Sequence, residues 1–240
     1  MESRIKSQRL YVGDLFMEGW RLYNANLTNI LGVVLCVYIP INLVLALLPA
    51  DVRLLEDSPQ GVQLYNNLVQ LLEFFIGIIA TMGIAAIVEK AVHGETLSWD
   101  AALRHGLARW PSAIGTGLLT GLILLGLTLL LIIPGLIWSI YYAFWIYVVA
   151  LRDMGGRTAL RYSKSLVQGQ WWRVFGAFFV IGLVGLVVVL TVTFLLHLIA
   201  SNPLADFIIN TVVNVIGAFF LVVTVLFFLN TDYVQNGTSL

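Results

Sequence analysis

Residues 113–151 read AIGTGLLTGLILLGLTLLLIIPGLIWSIYYAFWIYVVAL, without one charged side chain. About 20 apolar residues suffice for a helix to cross the ~30 Å hydrocarbon core of a bilayer. One crossing would leave half of this stretch over. Pro134-Gly135 stands near its middle. Proline removes a backbone donor and glycine accepts turn geometry, so the stretch reads as two spans, Ala113–Ile133 and Gly135–Leu151, folded back on each other.

Working outward, four more stretches are long and apolar enough: Leu27–Leu48, Leu68–Val88, Val174–Ile199 and Phe207–Leu229. Six crossings put both chain ends, the second–third connection and the fourth–fifth connection on one side. That side holds Arg4, Lys6, Arg9, Arg21, Lys90, Arg104, Arg109, Arg152, Arg157, Arg161, Lys164 and Arg173; the other holds Arg53 alone. Such a bias of basic residues marks the cytoplasmic side. Reading 113–151 as one crossing would move residues 152–173 outside and destroy the bias. Trp20, Trp99, Trp110, Trp171 and Trp172 fall at the cytoplasmic ends, where indoles settle among headgroups, and Trp138 and Trp145 lie within the fourth span.

Composition agrees. Hydrophobic residues make up 60% of the 240 and charged residues 11%, with a mean hydropathy of +0.93. A soluble domain carries about 45–50% and about 25%. A soluble enzyme, a nucleic-acid binder and a disordered linker are excluded, and the zero net charge gives no pull toward nucleic acid. Cys36 is the single cysteine, so neither an intrachain disulfide nor a thiolate cluster is expected. His93, His105 and His197 stand far apart and outside metal-ligand spacings. No nucleotide fingerprint or Ser-His-Asp order appears, so the chain reads as non-enzymatic, with no catalytic residue, metal or cofactor. Asp14, Glu18 and Arg21 interrupt any signal-peptide core, so the N-terminus is expected to be retained. The sequons at Asn26 and Asn236 fall on the cytoplasmic side, where no glycan is attached.

Each pair of spans follows a segment too polar to cross and too periodic for a loop. In the first, Val12, Phe16, Gly19, Trp20 and Tyr23 share a face, with Asp14, Glu18 and Arg21 opposite. In the second, Trp99, Leu103, Gly106, Leu107 and Trp110 repeat that spacing, Ser98 is the expected N-cap, and Asp100, Arg104 and Arg109 face away. In the third, Leu160, Ser163, Val167 and Trp171 oppose Arg157, Arg161, Lys164 and Gln168. An apolar stripe of this kind predicts a helix lying in the membrane surface. The expected fold is an all-α integral membrane protein: six transmembrane helices as three hairpins, each preceded by a cytoplasmic interfacial amphipathic helix. Residues 1–240 form a single membrane domain with units at 8–90, 97–152 and 156–230.

From residue 131 the sequence becomes specific. LIIPGLI (131–137) leads through an aromatic span to DMGG (153–156) and then ALRYSKSLVQGQWW (159–172). This resembles the glycerophosphoryl diester phosphodiesterase membrane-domain family and its YciC-type uncharacterised inner-membrane relatives, whose signature is an apolar turn with Pro-Gly followed by "AL-basic-x-Ser-x-x-Leu-x-x-Gly-x-x-Trp". The resemblance implies a multi-pass protein of a bacterial or archaeal cytoplasmic membrane with a link to phospholipid or envelope maintenance. Some relatives are fused to a phosphodiesterase barrel; no carboxylate–histidine cluster matches it here, so that activity does not carry over. Relatives often place a proline in the fourth span, where this chain has Phe144-Trp145-Ile146-Tyr147, so a shared kink is not expected.

Two sets of residues are candidates for function. Arg157, Arg161 and Lys164, with Trp171, Trp172 and Arg173, suit an anionic lipid headgroup, since each basic residue near an anionic leaflet adds ~1 kcal/mol of attraction. Topological anchoring alone would also account for them. Glu73, His197 and Asp206 are the intramembrane polar candidates. Glu73 either handles ions or protons or reaches the headgroups; His197 and Asp206 form a proton-sensitive pair or sit at the interface. Gly117 and Gly121 permit close helix approach, and Asn210, Thr211 and Asn214 suit interhelical hydrogen bonds. The first functional reading is therefore a lipid-binding or accessory protein at the cytoplasmic leaflet. The alternative is a small transporter or channel subunit with a polar pathway near Glu73. Expected partners are membrane lipids, anionic phospholipid above all, then a second copy or another membrane protein.

Overall fold

A computed structural model describes residues 5–6, 8–46, 59–199 and 202–236. Arg4, Arg53, Ser201 and the last two residues of the first expected span lie outside them. The described residues hold nine helices of eight or more residues: α1 (Val12–Ala25), α2 (Leu27–Ala46), α3 (Pro59–Val92), α4 (Trp99–Leu130), α5 (Ile132–Tyr141), α6 (Trp145–Arg152), α7 (Gly156–Val167), α8 (Trp171–Ile199) and α9 (Pro203–Asn236). Lipid offers backbone groups no hydrogen-bond partner, so apolar runs of this length close their bonds internally as helices. Five helical segments are long and apolar enough to cross a membrane, and a sixth if α1 and α2, which meet at 81°, count as one broken span. By helix length and composition the chain is a multi-pass membrane protein.

α3, α4, α8 and α9 have 34, 32, 29 and 34 residues. At ~1.5 Å per residue each exceeds the ~30 Å hydrocarbon core by ten ångströms or more. The packed core lies toward one end of these helices. Met82–Val88 of α3, Val148–Ala150 of α6 and Val222–Leu229 of α9 are buried. At the far ends Leu130 is 78% and Ile199 81% exposed, apolar surface suited to lipid. Central α9 touches α1, α2, α3 and α8.

The second expected surface helix is not separate: Trp99 to Leu130 is one helix with Pro111 inside it. Its first half is locked antiparallel against α3. A Cβ on Gly106 would lie 2.5 Å from the Ile79 carbonyl oxygen, one on Gly83 would lie 3.0 Å from that of Ala102, and Trp110 donates Nε1–H to the Phe75 carbonyl (2.7 Å). Backbones this close leave the segment no freedom to lie flat. Arg109 accordingly turns inward, its Nε buried and 3.5 Å from Asp153 Oδ1, while Trp99 and Leu107 are exposed.

The first stripe is rotated from its expected position. Leu15, Glu18, Gly19, Leu22 and Tyr23 are buried, with Glu18 only 6% exposed and Trp20 55%. Gly19 sets the rotation, since a Cβ there would lie 2.7 Å from Val223 of α9. The third stripe matches its expectation on α7, where Leu160, Ser163 and Val167 are buried and Arg157, Arg161 and Gln168 are exposed. Trp171 begins α8 instead, after a turn in which Gly169 takes φ +82°.

The third–fourth division falls at Leu131, three residues before the expected dipeptide. Pro134 fits the first turn of α5, where its missing N–H would have had no helical partner. Gly135 lets α5 pass α4, since a Cβ would collide with Thr128.

The fourth span, expected without a kink, is broken at residues 142–144 although it has no proline there. Ser163, fully buried on α7, bridges the gap: its Oγ accepts from the Phe144 N–H (3.2 Å) and donates to the Tyr141 carbonyl (2.9 Å). The break turns Phe144 into an aromatic cluster, with ring centroids 5.5–5.6 Å from Phe178, Phe227 and Phe228. Such pairs each add ~0.5–1.5 kcal/mol beyond burial. Ser163→Ala leaves a buried donor and acceptor without this partner and should destabilise the fold by about 1–3 kcal/mol. Thermal unfolding in detergent measures it; an unchanged midpoint would show that the hydroxyl is dispensable.

Candidate functional site

Three charged residues that each follow an apolar run converge at the packed end. Arg152 closes α6, Glu89 lies in the last turns of α3 and Asp232 in those of α9. Arg152 donates Nε–H and one Nη2–H to Asp232 Oδ2 (2.8 and 2.6 Å) and an Nη1–H to Glu89 Oε1 (2.6 Å). The Arg152 and Asp232 side chains are 8% and 5% exposed. A charge this buried must be paired. From α7, Tyr162 donates its hydroxyl proton to Asp232 Oδ1, and Asn236 Nδ2 donates to Tyr162 Oη (2.8 Å) and Asp232 Oδ1 (2.9 Å). Burial first, then this bond to a carboxylate, pushes the Tyr162 phenol well above its ordinary range. Phe228 and Tyr233 rings each lie 5.8 Å from the guanidinium. The cluster joins four helices and is closed by its own partners, which suits a lock rather than a reaction.

A second tie fixes the N-terminal segment. Fully buried Asn230 donates Nδ2–H to the carbonyls of Ile5 and Gln8 (both 2.7 Å), and its Oδ1 accepts the Leu10 N–H (3.0 Å) and Arg173 Nη2–H (3.2 Å).

The headgroup candidates divide into two groups. Arg157 and Arg161 are exposed on α7, and Lys164 points its ammonium at the rings of Trp138 (4.4 Å) and Tyr141 (5.9 Å). Trp171 donates Nε1–H to the Ile137 carbonyl (3.2 Å) and stacks on Phe175, with ring centroids 5.2 Å apart; Trp172 is exposed. Between α5 and α8 lies a groove of ≈560 Å³, walled by Ile133, Leu136, Ile137, Ile140, Tyr141, Trp171, Trp172 and Phe175, with Ser139 the one aliphatic hydroxyl among the described lining residues. Arg173 belongs elsewhere, bound to Asn230, Gln170 and the Leu10 carbonyl.

The intramembrane candidates stay apart from both groups. His197 Nε2 is 3.4 Å from Asp206 Oδ1, so that pair forms, on exposed side chains. Glu73 is half-buried on α3. Gly117 receives the Trp145 indole, and Thr211 donates its hydroxyl to the Phe207 carbonyl within its own helix (2.8 Å). Among the described residues no group of three His, Cys, Asp or Glu side chains is placed to hold a metal ion.

Sequence reasoning counted Arg152 only toward topology and missed Glu89, Asp232, Tyr162 and Asn230. A signal was present: opposite charges directly after apolar runs, on helices that end on the same side, need partners there.

The chain belongs to the family defined by a domain of unknown function, DUF7847, whose model matches residues 61–236. No curated protein and no solved structure matches it.

Proposed function

We propose that this member of a family of unknown function is a non-enzymatic protein of the cytoplasmic membrane that holds a phospholipid at the cytoplasmic leaflet. Both termini are then cytoplasmic, and α1 and α7 lie in the interface. The α5–α8 groove carries the reading. Its ≈560 Å³ falls in the size range of small-molecule sites, and its walls are almost wholly aliphatic and aromatic, as an acyl chain requires. Tyr141 belongs to that wall and also meets the Lys164 ammonium, so a cation stands beside an apolar slot. Arg161, one turn earlier on α7, adds a second exposed charge. Trp171 and Trp172 give the groove an indole rim of the kind that settles among headgroups. The resemblance of residues 131–172 to the phosphodiesterase-associated membrane domain supports the same link to phospholipid. The transporter alternative draws on the ≈240 Å³ cavity that Tyr38, Thr81 and Asn214 help to line, but its lining does not include Glu73.

The test replaces Arg157, Arg161 and Lys164 together with alanine. Three basic residues at ~1 kcal/mol each predict at least a tenfold weaker hold on the anionic phospholipid of the groove. Native mass spectrometry of protein released from lipid nanodiscs weighs the retained lipid. Retention equal to that of the unaltered chain would sink the proposal. Lipids brominated on the acyl chain provide a second readout, since they should quench Trp171 and Trp172 fluorescence.

A further inference from the structure

A second cavity, of different chemistry, lies on the face of α8 that bears Arg173 and Ala177, away from Trp171, Trp172 and Phe175. It measures ≈290 Å³ and is shared by Arg9, Tyr11, Val12, Arg173, Ala177 and Phe227, among others. Among the described residues neither basic side chain meets a carboxylate there. Arg173 donates to the Leu10 carbonyl (3.3 Å), Asn230 Oδ1 (3.2 Å) and Gln170 Oε1 (3.0 Å), all neutral oxygens, and its guanidinium lies 5.3 Å from the Phe227 ring centroid. Arg9 is exposed. No acid is among the described residues that line the cavity; Asp14, the nearest along the chain, turns Oδ2 onto the Tyr11 N–H (3.3 Å).

Two guanidinium groups facing one space repel each other unless an anion lies between them, and a guanidinium fork matches phosphate oxygens. The chain has gone to some length to keep Arg173 in place. Asn230 spends all four of its strong hydrogen-bonding positions on residues 5–10 and Arg173, at the end of an apolar stretch of α9. The remaining wall is apolar: Val12, Ala177 and Phe227.

We infer that this cavity binds the phosphate of an anionic phospholipid, with Arg9 and Arg173 on its non-bridging oxygens and the apolar wall against the start of an acyl chain. Free phosphate shares the headgroup chemistry but leaves the apolar wall unused. This site stands independently of the groove, with which it shares no residue.

The experiment uses the full chain with Arg157, Arg161 and Lys164 already changed to alanine, so that groove binding does not enter the measurement. Phosphatidylglycerol is titrated into phosphatidylcholine nanodiscs and its retention weighed by native mass spectrometry. Arg9→Gln should weaken retention about fivefold, the equivalent of one basic contact. Arg9→Lys should recover most of it, and thermal unfolding should be unchanged because Arg9 is exposed. Arg173→Gln should weaken retention as well. Retention that Arg9→Gln leaves unaltered would overturn the inference. So would displacement of the lipid by inorganic phosphate alone, which would make the site one for the free ion.

Discussion

Arg152→Ala is expected to destabilise the folded chain by about 3–5 kcal/mol, the cost of leaving a buried ionic partner uncompensated. Asp232 is 5% exposed and takes two of its hydrogen bonds from Arg152, and Glu89 takes a third. Without the guanidinium, two carboxylates face each other across the ends of α3 and α9 with Tyr162 and Asn236 unable to balance their charge. Arg152→Lys should recover part of the loss, since an ammonium supplies charge but not the planar fork that meets both acids. Asp232→Asn added to Arg152→Ala should also recover part of it, because it removes one stranded charge. Urea or thermal unfolding in a mild detergent, followed by tryptophan fluorescence, reads all three. If Arg152→Ala unfolds at the midpoint of the unaltered chain, the cluster does not lock the four helices together.

That cluster also marks the limit of what a linear reading reaches. The apolar runs were legible because the bilayer imposes a length and forbids charge, and both constraints act on contiguous residues. Partners distant in sequence were not. Arg152 finds Glu89 63 positions away and Asp232 80 positions away. The break in the fourth span is held by Ser163, 19 positions beyond the amide it satisfies. Ser163 stood in the quoted motif, but nothing local distinguishes a serine that closes a broken helix from one on a polar face. The stripe of α7 is legible as far as Val167, since one face is exposed and the other packed, and Trp171 falls outside it. The stripe of α1 was misplaced because Glu18 counts as polar on any scale, yet Gly19 decides which side meets α9. Pro134-Gly135 marked a real division and misplaced it, as proline serves equally in a turn and in the first turn of the following helix. The groove needed residues 133–141 and 171–175 brought side by side, which no periodicity in either segment announces.

Two glycines on α4 should respond to alanine with opposite signs. Gly106→Ala would place a carbon 2.5 Å from the Ile79 carbonyl oxygen, a backbone atom that moves only if α3 moves. The helices would have to separate along a contact that also includes Gly83 against Ala102 and the Trp110–Phe75 hydrogen bond. Overpacking of this kind costs about 1–3 kcal/mol, and more where a backbone is the obstacle. At Gly115, nine residues on and exposed, an added Cβ meets nothing within 4 Å. There only the intrinsic preference remains, and alanine is favoured over glycine in a helix interior by up to ~1 kcal/mol. Gly115→Ala should therefore raise the unfolding midpoint or leave it unchanged, while Gly106→Ala lowers it. Trp110 supplies a separate readout: loss of its bond to the Phe75 carbonyl should shift its emission in Gly106→Ala and not in Gly115→Ala. Equal effects of the two substitutions would mean that α4 does not run against α3 as one continuous helix, and the surface-helix arrangement expected for residues 99–110 would have to be restored.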